Sequence, residues 1–225
     1  TSVGKSWLSA KVATVAARYG NRTLFVSPEL SADATSIRLD VLMAKSEGYQ
    51  LSHRALRRGD PIDEEIYSKF LQSSKARKLL ISSNISDNFV SLPSIIAQVR
   101  RHKPDFLVVD GLELISSDGT AVWERMVNLF YGMKNLAVSQ NIPCFVSTQA
   151  KMNVSDLSLM PRMNDVAYGA ALIRSSDIAM SMSLHSDSEN KHIIQFQKFR
   201  DDKAPVRFVI LEWDVDSGDI KESSE

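Results

Sequence analysis

Thr1-Ser2-Val3-Gly4-Lys5-Ser6 heads the chain, directly before a segment with helical periodicity. Gly4, Lys5 and Ser6 complete the pattern G-x-x-x-x-G-K-[ST], a loop whose backbone N–H groups cradle phosphates. The pattern's opening Gly and one further residue fall before Thr1, so the chain is expected to begin inside a working part of a longer protein. A helix N-terminus turns N–H groups and a positive dipole end toward an anion. Lys5 is placed to reach the β- and γ-phosphates, and the Ser6 hydroxyl to ligate Mg²⁺. Thr1, Ser2, Val3, Gly4, Lys5, Ser6 and Trp7 are therefore the candidate nucleotide-binding residues, with a nucleoside triphosphate and Mg²⁺ as the expected ligands. Gly-Lys-Ser alone is a common tripeptide. Its weight here comes from the helix behind it and from a later apolar strand that ends in Asp.

Outward from the loop, strand-like and helix-like segments alternate. Residues 6–19 read as a helix with Trp7, Leu8, Val12, Val15 and Ala16 on one face, ended by Gly20. Leu24-Phe25-Val26 is a short apolar strand. Residues 32–46 and 63–76 read as helices, the second opened by Asp60-Pro61 and the acids Asp63, Glu64 and Glu65. Leu79-Leu80-Ile81 is a strand, 91–101 a helix, and Phe106-Leu107-Val108-Val109-Asp110 a buried strand. A long helix follows over 121–140, then a strand over 142–148. Such β-α repetition argues for an α/β fold with a mainly parallel sheet flanked by helices. Residues 150–168 lack periodicity and read as a loop. Residues 178–184, 192–198 and 206–213 then read as successive C-terminal strands, and the tail from Asp214 as a turn followed by fraying. No repeat or linker divides the chain, so one domain over 1–225 is expected.

Composition narrows the setting. The 225 residues are 44% hydrophobic, and 27 Lys plus Arg balance 27 Asp plus Glu. Net neutrality does not point to nucleic acid, although a local patch could provide it. The one cysteine, Cys144, lies in a strand pattern and reads as a small core residue. No apolar run approaches the roughly 18–20 residues that span a bilayer. No leader is visible, the four His show no metal-ligand spacing, and a reducing cytoplasmic setting is expected.

Further residues carry chemistry by position. Asp110 ends an apolar strand, where a carboxylate can hold Mg²⁺ through water; the alternative is a turn residue, since Asp-Gly is turn-like. Glu29 follows the second strand and could polarise an attacking water, or favour a helix dipole. Gln149 ends the strand that carries Phe145-Val146-Ser147-Thr148 and could report the presence of a γ-phosphate, or simply terminate the strand. Lys198 and Arg200, spaced by two on a strand, point the same way. They could reach a neighbour's γ-phosphate, or form a solvated edge pair with Asp201 and Asp202.

In order and spacing these stretches resemble the C-terminal ATPase domain of DnaB-type replicative helicases, especially those of bacteriophages, within the RecA-like fold. Thr1–Ser6 matches the family's Walker A loop and Phe106–Asp110 its Walker B strand. Leu24–Leu30 is similar to its strand followed by Ser-x-Glu, whose Glu is the catalytic base. Phe145–Gln149 matches the strand ending in the sensing Gln. Met163-Asn164-Asp165, Gly169 and Ser176-Asp177-Ile178 resemble a loop that leads to Ala-Asp, and Lys198-Phe199-Arg200 resembles a Lys-x-Arg pair acting across the subunit boundary. The resemblance covers nearly the whole chain. It implies catalytic roles for Lys5, Glu29, Gln149, Lys198 and Arg200, and metal binding by Ser6 and Asp110. It further implies a homo-hexamer with ATP at the interfaces, single-stranded DNA in the channel, and primase and a loader as partners, in a bacterial or phage-infected cytosol. Lys151, Arg162, Val166, Ala167, Tyr168 and Gly169 are the implied DNA-contacting residues. The sequence departs from the family there, because Val166-Ala167 replaces the usual Arg-Glu and Tyr168 takes a small-residue position.

Two other readings share the motifs. A RecA- or KaiC-type DNA-dependent ATPase has the same fold, though Ser27 stands where such recombinases carry an acid two before the base. A loader or assembly subunit would use ATP as a clamp with little turnover.

Overall fold

The computed structural model describes residues 3–60, 64–72, 78–83, 90–119, 121–149, 158–162, 165, 169–201 and 207–223. Helix α1 (Lys5–Arg18) starts behind Gly4, whose φ of 87° is left-handed. Its buried residues are small: Ser9, Ala10, Ala13, Thr14, Ala16 and Ala17. The expected stripe of larger residues is displaced, since Val15 is 39% exposed and Trp7, Leu8 and Val12 are only partly buried. Short side chains let α1 lie close on β1 (Thr23–Ser27), β3 (Phe106–Asp110) and β4 (Cys144–Ser147).

Those strands and β2 (Leu79–Ser83) form a sheet of order β2-β1-β3-β4, and every pairing in it is parallel. Alternation assigns each side chain to a face. Leu24, Val26, Leu107 and Val109 pack under α5 (Leu92–His102) and α6 (Val122–Gln140), against Ile95, Val99, Leu129, Phe130, Met133 and Leu136. Phe25 and Val108 face the other way, onto Ala10 and Ala13 of α1 and Leu39 and Leu42 of α2 (Ala32–Ser46). A sheet covered on both faces explains why the strands read as continuous apolar runs. Burying each large aliphatic chain in it contributes about 1.5–3 kcal/mol.

Two helices escaped the sequence reading, α3 (His53–Arg58) and α7 (Gly169–Ser175), because one or two turns show no usable periodicity. Helix α4 spans Glu64–Leu71, and residues 63 and 73–76 of the expected helix lie outside the described residues. The second sheet is antiparallel, in the order β5 (Ile178–His185), β6 (Ser188–Phe199), β7 (Phe208–Asp214) and β8 (Asp219–Glu222).

The expected fraying of the tail is wrong, since β8 pairs with β7 and buries Ile220 in the same cluster as Phe25 and Leu39. The turn before it is fixed as well. Asp216 accepts from Ser52 Oγ at 3.0 Å and from the Arg54 N–H at 2.7 Å, which holds the start of α3. Its carbonyl accepts from the His53 N–H at 2.9 Å. Gly218 has φ 72°, and a Cβ there would lie 2.6 Å from the Val41 carbonyl oxygen. The polar, Ser-rich composition of the tail conceals a hairpin anchored by Ile220, by the partly buried Val215 and by one cap.

Gly218→Ala is expected to cost roughly 1–3 kcal/mol, from left-handed strain and the collision with α2. Urea denaturation should show a lower midpoint at an unchanged slope. Cys144 is half-buried against the α5–α6 core, and burial pushes its thiol up to about 12. The thiol form therefore dominates at neutral pH, and only the thiolate attacks alkylating agents. Iodoacetamide at pH 8 should label Cys144 far more slowly in the native protein than in urea.

Candidate functional site

The parallel register brings three strand ends to one edge. Val26 is level with Val109, and Asp110 with Ser147, so the residues after β1, β3 and β4 emerge together at the carboxyl edge. Helix α1 points its N-terminus at the same edge. Between them lies a cavity of about 220 Å³. Gly4, Lys5, Ser6 and Trp7 form one wall, and Glu29, Asp110 and Gln149 close it from the strands. Sequence-distant candidates thus meet in one space.

Asp110 is its most buried charged member, at 1% exposure. Ser147 Oγ donates to Asp110 Oδ1 at 2.8 Å and accepts from the Gly111 N–H at 2.9 Å. Ser9 Oγ lies 2.9 Å from the same Oδ1 and 3.0 Å from the Lys5 carbonyl oxygen, so its single proton is shared. Oδ2 is buried without a hydrogen-bond partner. An uncompensated buried carboxylate oxygen is costly, and a cation in the cavity would relieve it. The donor set fits Mg²⁺, which takes hard oxygens and keeps several waters. Ser6 and Asp110 supply a hydroxyl and a carboxylate to the lining of the same cavity.

Glu29 is exposed at the cavity rim. The loop that carries it is held by a Leu30 N–H to Ser27 Oγ bond of 3.3 Å. Gly4 cannot be replaced cheaply, because its φ is 87° and a Cβ there would lie 2.4 Å from the Trp213 ring.

Two wall residues were not found from sequence. Arg38 of α2 reaches the cavity with its guanidinium 5.2 Å from the centre of the Trp7 ring. Trp7 meets His53 edge-on, at 4.9 Å between centroids. Burial disfavours the Arg38 charge, and Asp110 works against that effect. Helical spacing gives no sign of Arg38, because only the fold brings α2 over the loop. Glu113 comes from the 3-10 turn Leu112–Leu114 after β3. Burial pushes its carboxyl up, while its own backbone N–H, the Thr148 side chain and Lys5 act in the opposite direction. A signal for it existed, since Asp110-Gly111-Leu112-Glu113 puts a second acid directly behind the strand end.

Lys198 and Arg200 do not line this cavity. Lys198 Nζ donates to the carbonyls of Ile173 and, at 2.6 Å, Ser176. Arg200 pairs through Nε with Asp177 at 2.9 Å and donates to the carbonyls of Arg174 and Ser176 at 2.8 and 3.1 Å. Lys134 reaches Asp177 at 2.6 Å. The two cations therefore share the C-terminal end of α7, as the helix dipole favours. Arg162 is exposed, and its N–H donates to Asp165 at 2.7 Å. Gly169 is buried at the start of α7. Thr1, Ser2, Lys151, Val166, Ala167 and Tyr168 lie outside the described residues. Among the described residues no helix is long and apolar enough to cross a membrane.

The arrangement defines a class, a RecA-like α/β fold with the Gly4-Lys5-Ser6 loop at the carboxyl edge of a parallel sheet. Among solved structures the chain is similar to an ATPase domain, with a TM-score of 0.82 and 18% identity over 98% of this chain and 81% of that one. It is equally similar to a DnaB-like replicative helicase studied for its interactions with primase, with a TM-score of 0.82 and 18% identity over 98% of this chain and 56% of that one. No protein-family model matches the sequence. No curated protein matches it either.

Asp110→Asn keeps the shape of the side chain and removes the charge of the unpartnered oxygen. Mg²⁺ affinity in the presence of nucleotide should fall on the order of 10–100-fold. Titration of a fluorescent ATP analogue with and without EDTA reads this directly. Wild type should lose affinity with EDTA, and the variant should be nearly indifferent to it.

Proposed function

We propose that this chain is the ATP-hydrolysing motor domain of a hexameric, DnaB-type replicative DNA helicase. One observation carries the reading: Lys5, Ser6, Glu29, Asp110 and Gln149, contributed by α1 and the ends of three parallel strands, line one cavity. The likeness to an ATPase domain and to a DnaB-like replicative helicase supports the same reading through the fold.

In this reading the backbone around Gly4 and the N-terminus of α1 receive the phosphates, and Lys5 neutralises charge on the β- and γ-groups. Mg²⁺ held by Ser6 and Asp110 would offset negative charge between those phosphates. Glu29 accepts a proton as the water oxygen bonds to the γ-phosphorus. The bond from that phosphorus to the bridging oxygen breaks with its electron pair, leaving ADP and inorganic phosphate. Little covalent chemistry falls to the protein, and positioning and electrostatics supply the acceleration. Gln149 reads the γ-phosphate at the tip of β4. Lys198 and Arg200, absent from their own chain's cavity, complete the site of the neighbouring subunit in the ring. Arg162, Gly169 and the segment holding Lys151, Val166, Ala167 and Tyr168 follow the sensing strand and hold single-stranded DNA by its phosphates. Primase and a helicase loader are the partners this reading implies, in the cytoplasm of a bacterium or a phage-infected cell.

ATP-dependent unwinding of a forked duplex tests the proposal, on protein carrying the complete phosphate loop. Wild type should unwind, and Glu29→Gln should bind ATP yet lose about 10²–10⁴-fold in turnover, with unwinding lost in step. DNA-stimulated hydrolysis without unwinding would instead identify a recombinase-like ATPase. ATP binding with neither activity would identify a clamp.

A further inference from the structure

Glu113 belongs to the described cavity but has no part in the phosphate loop, the metal pair or the sensing strand. The 3-10 turn after β3 brings it to the same cavity as Lys5, Glu29 and Gln149. Thr148, the residue preceding Gln149, neighbours its carboxyl and favours the charged form. Its Oε2 is buried and has no hydrogen-bond partner. Leaving such an acceptor unsatisfied is costly, and an orphaned acceptor in a cavity calls for a donor supplied by the ligand. Phosphate oxygens are themselves acceptors, so they leave Oε2 unsatisfied and repel it. The donor that a triphosphate-hydrolysing cavity brings is the attacking water.

Building on the hydrolase reading, we propose that Glu113 is a second carboxyl of the hydrolytic centre, whose Oε2 accepts a hydrogen bond from the attacking water. The water is then held between Glu29 on the rim and Glu113 on the inner wall. Two acceptors take up both of its protons and leave a lone pair free to aim at the γ-phosphorus. Burial, which pushes the Glu113 carboxyl up, makes its charged form the stronger acceptor. Glu113 and Gln149 line the same cavity, so the water would sit beside the tip of β4.

The test compares ATP turnover at saturation with the affinity of a fluorescent ATP analogue, in wild type, Glu113→Ala, Glu113→Gln, Glu29→Gln and the double variant Glu29→Gln/Glu113→Ala. A misplaced water costs on the order of 100-fold in turnover, and that loss is expected for Glu113→Ala with nucleotide affinity nearly unchanged. Glu113→Gln keeps a carbonyl acceptor of the same length and should recover most of the loss. The double variant should be no slower than Glu29→Gln alone, because both act on one water. Turnover of Glu113→Ala close to wild type overturns the proposal. So does a loss matched by weaker nucleotide binding, or one that multiplies with Glu29→Gln. If Glu113→Ala does not fold, the isosteric Glu113→Gln decides through the double variant Glu29→Gln/Glu113→Gln, where a further loss beyond Glu29→Gln alone overturns the role. A wild type that binds ATP without hydrolysing it removes the hydrolase reading and this role together. An active wild type with an indifferent Glu113 removes this role alone.

Discussion

One oxygen of Asp110 gathers the hydroxyls of Ser9 and Ser147, and the rest of the site is built around that junction. Ser9 stands on α1, Asp110 on β3 and Ser147 on β4. Helix α1, with the Gly4-Lys5-Ser6 loop at its start, is therefore tied to the two strands whose ends close the cavity. Ser147 also fixes the Gly111 N–H, where the chain leaves β3. Hydrogen bonds to a buried charge are worth about 1.5–3 kcal/mol, roughly twice a neutral one. Oδ1 is thereby satisfied, whereas Oδ2 stays buried without a hydrogen-bond partner.

The loop is supported from the other side by the second sheet. Trp213 of β7 lies against Gly4, closely enough that no side chain could replace the glycine hydrogen. His192 stacks on Trp213 at 3.8 Å and 18°. Burial pushes the His192 imidazole down, toward its neutral form, against a backbone hydrogen bond to Asn190 that acts the other way. The hairpin ending in Ile220 then locks this sheet onto α2. A remote antiparallel element thus shapes the front of the cavity.

This explains which features were legible in the sequence. Phe106–Asp110 and Leu24–Val26 were readable because a doubly covered strand must be apolar throughout. Gly4-Lys5-Ser6 was singled out because residue types in consecutive positions carry the signal, and the structure places all three on the wall of the cavity. Arg38 was not, since it reaches the cavity only through the packing of α2, and Glu113 left only the trace of a second acid behind the strand end, its place in the cavity depending on a one-turn excursion after β3. The small-residue face of α1 was misjudged for a related reason. Periodicity favours large apolar residues, whereas close approach to a sheet selects Ala and Ser. The tail was misjudged because a cap, one buried Ile and one partly buried Val leave almost no compositional trace.

The cations at the end of α7 show how lightly a residue can be held while still being placed. Lys198 and Arg200 rest on helix-terminal carbonyls and on an exposed Asp177. A helix terminus gives a cation roughly 0.3–1 kcal/mol, and an exposed ion pair a median of about 0–1 kcal/mol. The sum is small beside the pull of a triphosphate at close range in a partly desolvated cleft. Such contacts pre-orient the pair without trapping it. In the proposed ring, movement of α7 would shift the carbonyls that aim both cations. The helix follows the proposed DNA-contacting segment directly in the chain. Strand position and phosphate chemistry would then be coupled through an element of seven residues, with no long-range rearrangement of the parallel sheet.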